Sequence, residues 1–133
     1  MNCENAIPPL SPNRRCLSFA RALSAGKLDE AAACFAKDGC LLTPDATAIH
    51  GRDLIRGVLA QMVSRRTEIE VELTTVVGAG EVTLVRQRWR IRSGERPEER
   101  FEQTSDAILI MRRVEGAWKM SIAAPWGYRQ SYG

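Results

Sequence analysis

Asp106 and His50 are the residues of this chain whose type and setting best suit proton transfer near neutral pH. Asp106 stands in SDAILIM, between Ser105 and an apolar run. A carboxyl held beside buried surface is desolvated, which favours its neutral form and makes it a candidate acid. The other reading puts it on the outer face of a strand, bonded to neighbouring strands or to an arginine. His50, the single histidine, precedes Gly51 at the expected start of a helix. It is either an acid/base group oriented by Asp45 in the preceding loop or a solvated side chain at a helix entrance.

Gln87 and Trp89 form a second set. They alternate with Val85 and Ile91 on the apolar side of a strand, and a buried amide must find partners. Gln87 therefore bonds neighbouring backbone or faces a wet pocket. Trp126, near the end of the chain, is expected at a pocket mouth or a dimer edge, whereas Trp118 alternates with Met120 and Ile122 and reads as core.

Other chemistries are missing. There is no G-x-S-x-G, no phosphate-cradling Gly-rich loop and no pair of histidines for a metal. Cys3, Cys16, Cys34 and Cys40 lack C-x-x-C spacing, so they read as unpaired thiols in a reducing compartment. No metal and no cofactor are expected.

The net charge of +3 is mild. In RQRWRIR, simple alternation puts Arg86, Arg88, Arg90 and Arg92 on one strand face. Glu68, Glu70 and Glu72 alternate in the preceding strand and supply cross-strand partners, so a solvated ion-paired face is expected rather than a nucleic-acid platform. No apolar run approaches a membrane span, and Met1 to Leu10 has neither a basic nor an apolar leader region. A cytoplasmic protein without nucleic-acid or membrane partners is expected.

The elements that must position these residues follow from the periodicities. Ser11-Pro12 starts a helix that Gly26 ends, with Cys16, Phe19, Ala20 and Leu23 on one side. Leu28, Ala31, Ala32 and Phe35 predict a second helix stopping at Gly39, and Gly51 to about Arg66 a third. Cys40 to Thr43 is a short extended piece broken by Pro44-Asp45. From Glu68 the period becomes alternating, giving long strands up to Gly78-Ala79-Gly80, over Glu81 to Ser93 and over Phe101 to Val114, then Trp118 to Ala124. Ala107 to Met111 is apolar enough to be covered on both sides. The 133 residues fit one domain: a flexible segment over 1–10, the domain over 11–127 and a tail over 128–133. The fold class is α+β, with three helices packed in the concave face of a strongly curved, mainly antiparallel sheet.

Three stretches carry a resemblance: LSFARALSAGKLDEAAACFAKDG, TPDATAIHGRDLIRG and SDAILIMRRVEGAWKMSIAAPWG. They resemble SnoaL-like and ketosteroid-isomerase-like proteins of the nuclear-transport-factor-2-like superfamily, over about Ser11 to Gly127. The resemblance implies a cone-shaped domain with a ligand pocket, in a superfold that hosts isomerases, cyclases, dehydratases and plain binding domains. It also implies a homodimer paired through the outer face of the sheet. In the isomerases a tyrosine and a protonated aspartic acid stabilise the oxyanion and an aspartate acts as base. The tyrosine matches Phe19 and the base matches Thr43, neither of which can do that work; only the second acid has a counterpart, Asp106. Phe19, Thr43 and Met62 would line the cone wall.

The expected function is therefore a small-molecule pocket in the cone for a hydrophobic organic ligand, with cofactor-independent isomerase, dehydratase or cyclase chemistry through Asp106. The alternative is a non-catalytic dimerisation or ligand-binding accessory module.

Overall fold

The computed structural model describes residues 10–127. The segment expected over 1–10, apart from Leu10, and the tail over 128–133 lie outside the described residues.

The first helix, α1 (Pro12–Ser24), starts as its sequence requires: the Ser11 hydroxyl accepts the Arg14 backbone N–H and Pro12 occupies the first turn. Cys16, Phe19, Ala20 and Leu23 are buried along one side. The second helix, α2 (Leu28–Ala33), is shorter than its apolar spacing suggests. The chain leaves it at Cys34 and enters strand β1 (Phe35–Leu42), so Phe35 belongs to the sheet rather than to the helix. As a strand residue Phe35 points inward and is wholly buried. Gly39 is not a helix stop. It lies in a ladder irregularity between Phe35 and Cys40, where a Cβ would sit 3.0 Å from the Ala36 carbonyl and 3.1 Å from that of Met120.

A short strand, β2 (Ala48–His50), pairs back on β1 before α3 (Arg52–Ser64). The long strands β3 (Glu68–Ala79), β4 (Val82–Ser93), β5 (Phe101–Val114) and β6 (Ala117–Ala124) follow as antiparallel neighbours. Among the described residues the sheet has six strands in the order β2-β1-β6-β5-β4-β3, with β1 parallel to β6. Where sequence alone indicates four strands and an extended piece, that piece is thus part of the sheet. The α+β class with the helices on the concave face holds.

Alternation decides which side chains reach the helices. Val85, Gln87, Trp89 and Ile91 of β4 and Ala107, Leu109 and Met111 of β5 turn to the concave face and are buried. Ser24 ties α1 to β3, its hydroxyl accepting the Ile69 N–H at 2.8 Å. Arg52 at the start of α3 donates to the Phe35 carbonyl at 2.6 Å, fixing that helix to β1.

Candidate functional site

Inside the cone three aromatic rings meet. Phe19 of α1 stands edge-on to Phe35 of β1, centroids 5.6 Å apart, and stacks on Trp89 of β4 at 6.2 Å. All three are buried, so they occupy the volume that a ligand would need there. The Trp89 indole N–H donates to the Gln87 side-chain oxygen at 2.8 Å, and the Gln87 amide N–H in turn donates to Asn13 on α1 at 3.4 Å. The amide thus satisfies its partners within the protein. No buried side-chain nitrogen or oxygen among the described residues lacks a partner.

Cys16 lies below this group and donates to the Met111 sulfur at 3.6 Å. Burial, reinforced by the neighbouring Cys34 and opposed by Arg15, pushes its thiol up to about 12. Burial also raises the Cys34 thiol, against the pull of Arg15, Lys119 and Ser18. Neither is an activated thiolate. Met62 on α3 is half-buried and packs on the core.

Asp106 is on the other side of the sheet. Ala107, Leu109 and Met111 take the concave positions, so period-two alternation sends Asp106, Ile108 and Ile110 outward. Its side chain is 62% exposed and its nearest cation is Arg88, at 3.7 Å on the facing position of β4. The expectation of a desolvated acid beside buried surface is corrected; the strand-face reading describes its placement.

His50 is exposed at the end of β2, opposite Cys40 and immediately before the Gly51 N-cap of α3. Thr43 is half-buried in the loop that follows β1. Its hydroxyl donates to Asp45 and accepts the Thr47 N–H at 3.1 Å. Hydrogen bonds from Thr43, and then from Thr47, hold the Asp45 carboxyl below the usual carboxylate range. That carboxylate closes its own loop instead of orienting His50.

Trp126 and Asp106 do come together, at the rim of the cone. Trp126, Pro44, Arg86, Ser105, Asp106 and Ile108 line an open basin of about 540 Å³. Its geometry depends on the strand end: Ser105 donates to the Pro125 carbonyl at 2.8 Å, and Gly127 at φ 75 lies so near the Asp106 carbonyl that a Cβ would be 2.9 Å away. The structure therefore brings Phe19, Gln87 and Trp89 together inside, Asp106 and Trp126 together at the rim, and leaves His50 apart from both. Among the described residues no group of acidic, histidine or cysteine side chains could hold a metal ion.

The model of the SnoaL-like domain family matches residues 17–120. The chain belongs to this family. Solved structures described as having a cystatin-like fold or as NTF2-like share its architecture. A Mycobacterium tuberculosis protein of unknown function superposes with a TM-score of 0.76 at 15% identity, covering 89% of this chain and 70% of its own. A candidate dehydratase of the NTF2-like family from Streptomyces avermitilis gives 0.74 at 17%, covering 85% and 92%. A candidate calcium/calmodulin-dependent protein kinase II association domain from Xanthomonas campestris gives 0.71 at 15%, covering 90% and 92%. Such identities speak for the fold alone. No curated protein matches the sequence.

The residue that sequence reasoning passed over in this SnoaL-like domain is Arg86. Arg90 meets Glu72 at 3.3 Å and Glu102 at 3.1 Å, and Arg92 meets Glu102 at 3.7 Å and Glu70 at 4.0 Å. The expected cross-strand pairing thus holds for Glu70 and Glu72, while Glu68 turns to Arg100 at 2.6 Å. Arg86 has no carboxylate within 4.0 Å among the described residues, because Thr75 and Ile108 face it on the two flanking strands. Only the register distinguishes it from the other arginines of the run.

Proposed function

We propose that this SnoaL-like domain acts as a self-associating module, pairing through the convex face of its sheet, and not as a proton-transfer enzyme of the cone. The observation that carries the reading is a continuous apolar row across that face. Val77, Leu84, Ile110, Ile122 and Cys40 occupy successive paired positions on β3, β4, β5, β6 and β1. Val77 is 60% exposed and Ile122 41%. A row of this length left in water is unfavourable, and covering it is favourable by about 25 cal/mol for each Å² buried. The packed aromatic group in the cone and the outward Asp106 speak in the same direction. One structural neighbour is described as an association domain, another as a dehydratase; the convex row favours the first kind of role.

Sedimentation velocity at micromolar concentration tests this. A dimer that Ile122→Asp converts to monomer is the expected result; a monomeric wild type, or a dimer indifferent to Ile122→Asp, overturns it.

A second reading, a small-molecule role, draws on the rim basin. Trp126, Pro44 and Ile108 supply apolar walls around Arg86, Ser105 and Asp106, and about 540 Å³ lies within the ~300–1,000 Å³ typical of ligand pockets. A hydrophobic organic ligand with a polar group would suit it. A thermal-shift screen of such compounds, repeated on Trp126→Ala, should yield stabilising hits that the variant loses. Hits that survive the substitution would place binding elsewhere.

A further inference from the structure

We propose that Arg86 of one subunit pairs with Asp106 of the partner subunit across the convex face, and that this reciprocal contact is what makes the chain select a second copy of itself. The inference rests on the self-association proposed above and adds the residues that decide partner choice.

The convex face changes character in steps along its strands. The apolar row through Leu84 and Ile110 is followed by one containing Thr75, Arg86, Ile108 and Ala124, and that by one containing Leu73, Arg88 and Asp106. Beyond lie the ion-paired Arg90 and Arg92 with Glu70, Glu72 and Glu102. Arg86 and Asp106 therefore stand at the border where apolar surface gives way to charge. Anything that covers the apolar row brings them near its edge.

Each of the two is incompletely matched within its own chain. Arg86 has no carboxylate within 4.0 Å among the described residues. Asp106 sits diagonally from it but turns to Arg88, and only at 3.7 Å, with most of its side chain in solvent. Glu72 and Glu102 are held more closely by Arg90. Glu70 is as loosely held, by Arg92 at 4.0 Å, but lies farther along the strands among the other ion pairs. Asp106 is thus the loosely held acid nearest the apolar row, and Arg86 the arginine of the run with no carboxylate of its own among the described residues. Between them Arg86, Arg88, Asp106, Leu73 and Thr75 border a hollow of about 140 Å³, large enough to admit a side-chain end from an opposing surface.

The charge pattern argues for a second copy in particular. The face carries Arg86, Arg88, Arg90 and Arg92 together with Glu68, Glu70, Glu72, Glu102 and Asp106. A surface with both signs in balance complements itself, whereas a uniformly basic partner or acidic partner would meet like charge over half of it. In a two-fold interface, residue i meets j and j meets i, so one complementary pair is made twice. Covering Arg86 without a counter-charge would leave a desolvated cation, which makes the pairing a condition of specificity as well as a source of attraction.

The test is a charge swap with mixing. Arg86→Asp and Asp106→Arg, each folded by circular dichroism, are examined alone, together in one chain, and as a mixture of the two single variants. Each single variant places like charges opposite each other twice, and its dimer should weaken by about 100-fold, one factor of ten for each contact. The double variant should regain the wild-type dimer. The mixture should form a heterodimer although neither component self-associates, because both contacts are then opposite in sign. Rescue on mixing requires a contact between chains; an effect within one chain would not show it. Single variants that dimerise like wild type, or a mixture that stays monomeric, overturn the pairing while leaving the dimer reading intact. A wild type that is monomeric, or whose dimer ignores Ile122→Asp, removes the dimer reading itself and the pairing with it.

Discussion

The indole N–H of Trp89 donates to the side-chain oxygen of Gln87, two positions earlier on β4, at 2.8 Å in a site closed to solvent. A strand's alternation puts both side chains on the concave face, and the amide serves the ring as the ring's only polar atom requires. Gln87 then reaches Asn13, so the pair also links the sheet to α1. Replacing Gln87 with Leu keeps the volume but strands a buried donor. The expected loss is about 1–3 kcal/mol in urea unfolding. A variant as stable as wild type would show that the indole has another acceptor.

Phe19 fills the cone against Phe35 and Trp89. Phe19→Ala should cost about 3–5 kcal/mol, in line with removal of a buried aromatic ring. If the cone instead held an open pocket around Phe19, the loss would be well below this range, and equilibrium unfolding distinguishes the two.

Cys16 supplies a pH dependence whose sign can be worked out. Its thiol is raised from an ordinary value of 9.0 to about 12 in the folded chain, chiefly by burial. Between those values the unfolded chain releases the proton and the folded chain keeps it, so the unfolded state gains. The contribution is fully present below about pH 9 and is lost as pH rises towards 12, at up to about 1.4 kcal/mol per pH unit. Measured as the difference between wild type and Cys16→Ala, stability should decline across that window. Parallel curves for the two proteins would refute the assignment.

Asp106→Asn should leave stability within about 0.5 kcal/mol of wild type, since an exposed ion pair at 3.7 Å contributes little. A loss of several kcal/mol would mean that the carboxylate is far more engaged than its exposure implies. The effect on self-association should be larger than that on folding, because the partner's Arg86 then loses its counter-charge.

On the apolar row, Ile110 is half-buried in the isolated chain and Ile122 exposed. Ile122→Asp should therefore change the oligomeric state while the melting temperature of the monomer moves little. An unfolded variant would instead place Ile122 in the core, and circular dichroism beside sedimentation separates these outcomes.

Much of the fold was legible because it depends on local rules. Ser11-Pro12 and Gly26 bound α1 as their capping chemistry demands, and alternation alone placed Val85, Gln87 and Trp89 on one face of β4. Helix α2 ended sooner than its apolar spacing implied. Phe35 satisfies a helical period and a strand equally well, and only the Met120 partner in β6 selects the strand. Asp106 shows the same limit from the other side. Its neighbours were plainly apolar, yet flanking sequence cannot say whether position 106 or 107 faces the helices, and a shift of one residue exchanges the faces.

What the sequence by itself determined, then, was the class of fold and most of the element types, because periodicity, caps and turn residues act within a few positions of one another. Tertiary structure alone decided what each candidate touches: that Gln87 is spent on Trp89, that Asp45 closes its own loop, and that Arg86 meets Thr75 and Ile108 where its strand mates meet carboxylates. Those outcomes depend on the register between strands distant in sequence. Register is set by the summed burial of whole faces, and no single residue carries that information.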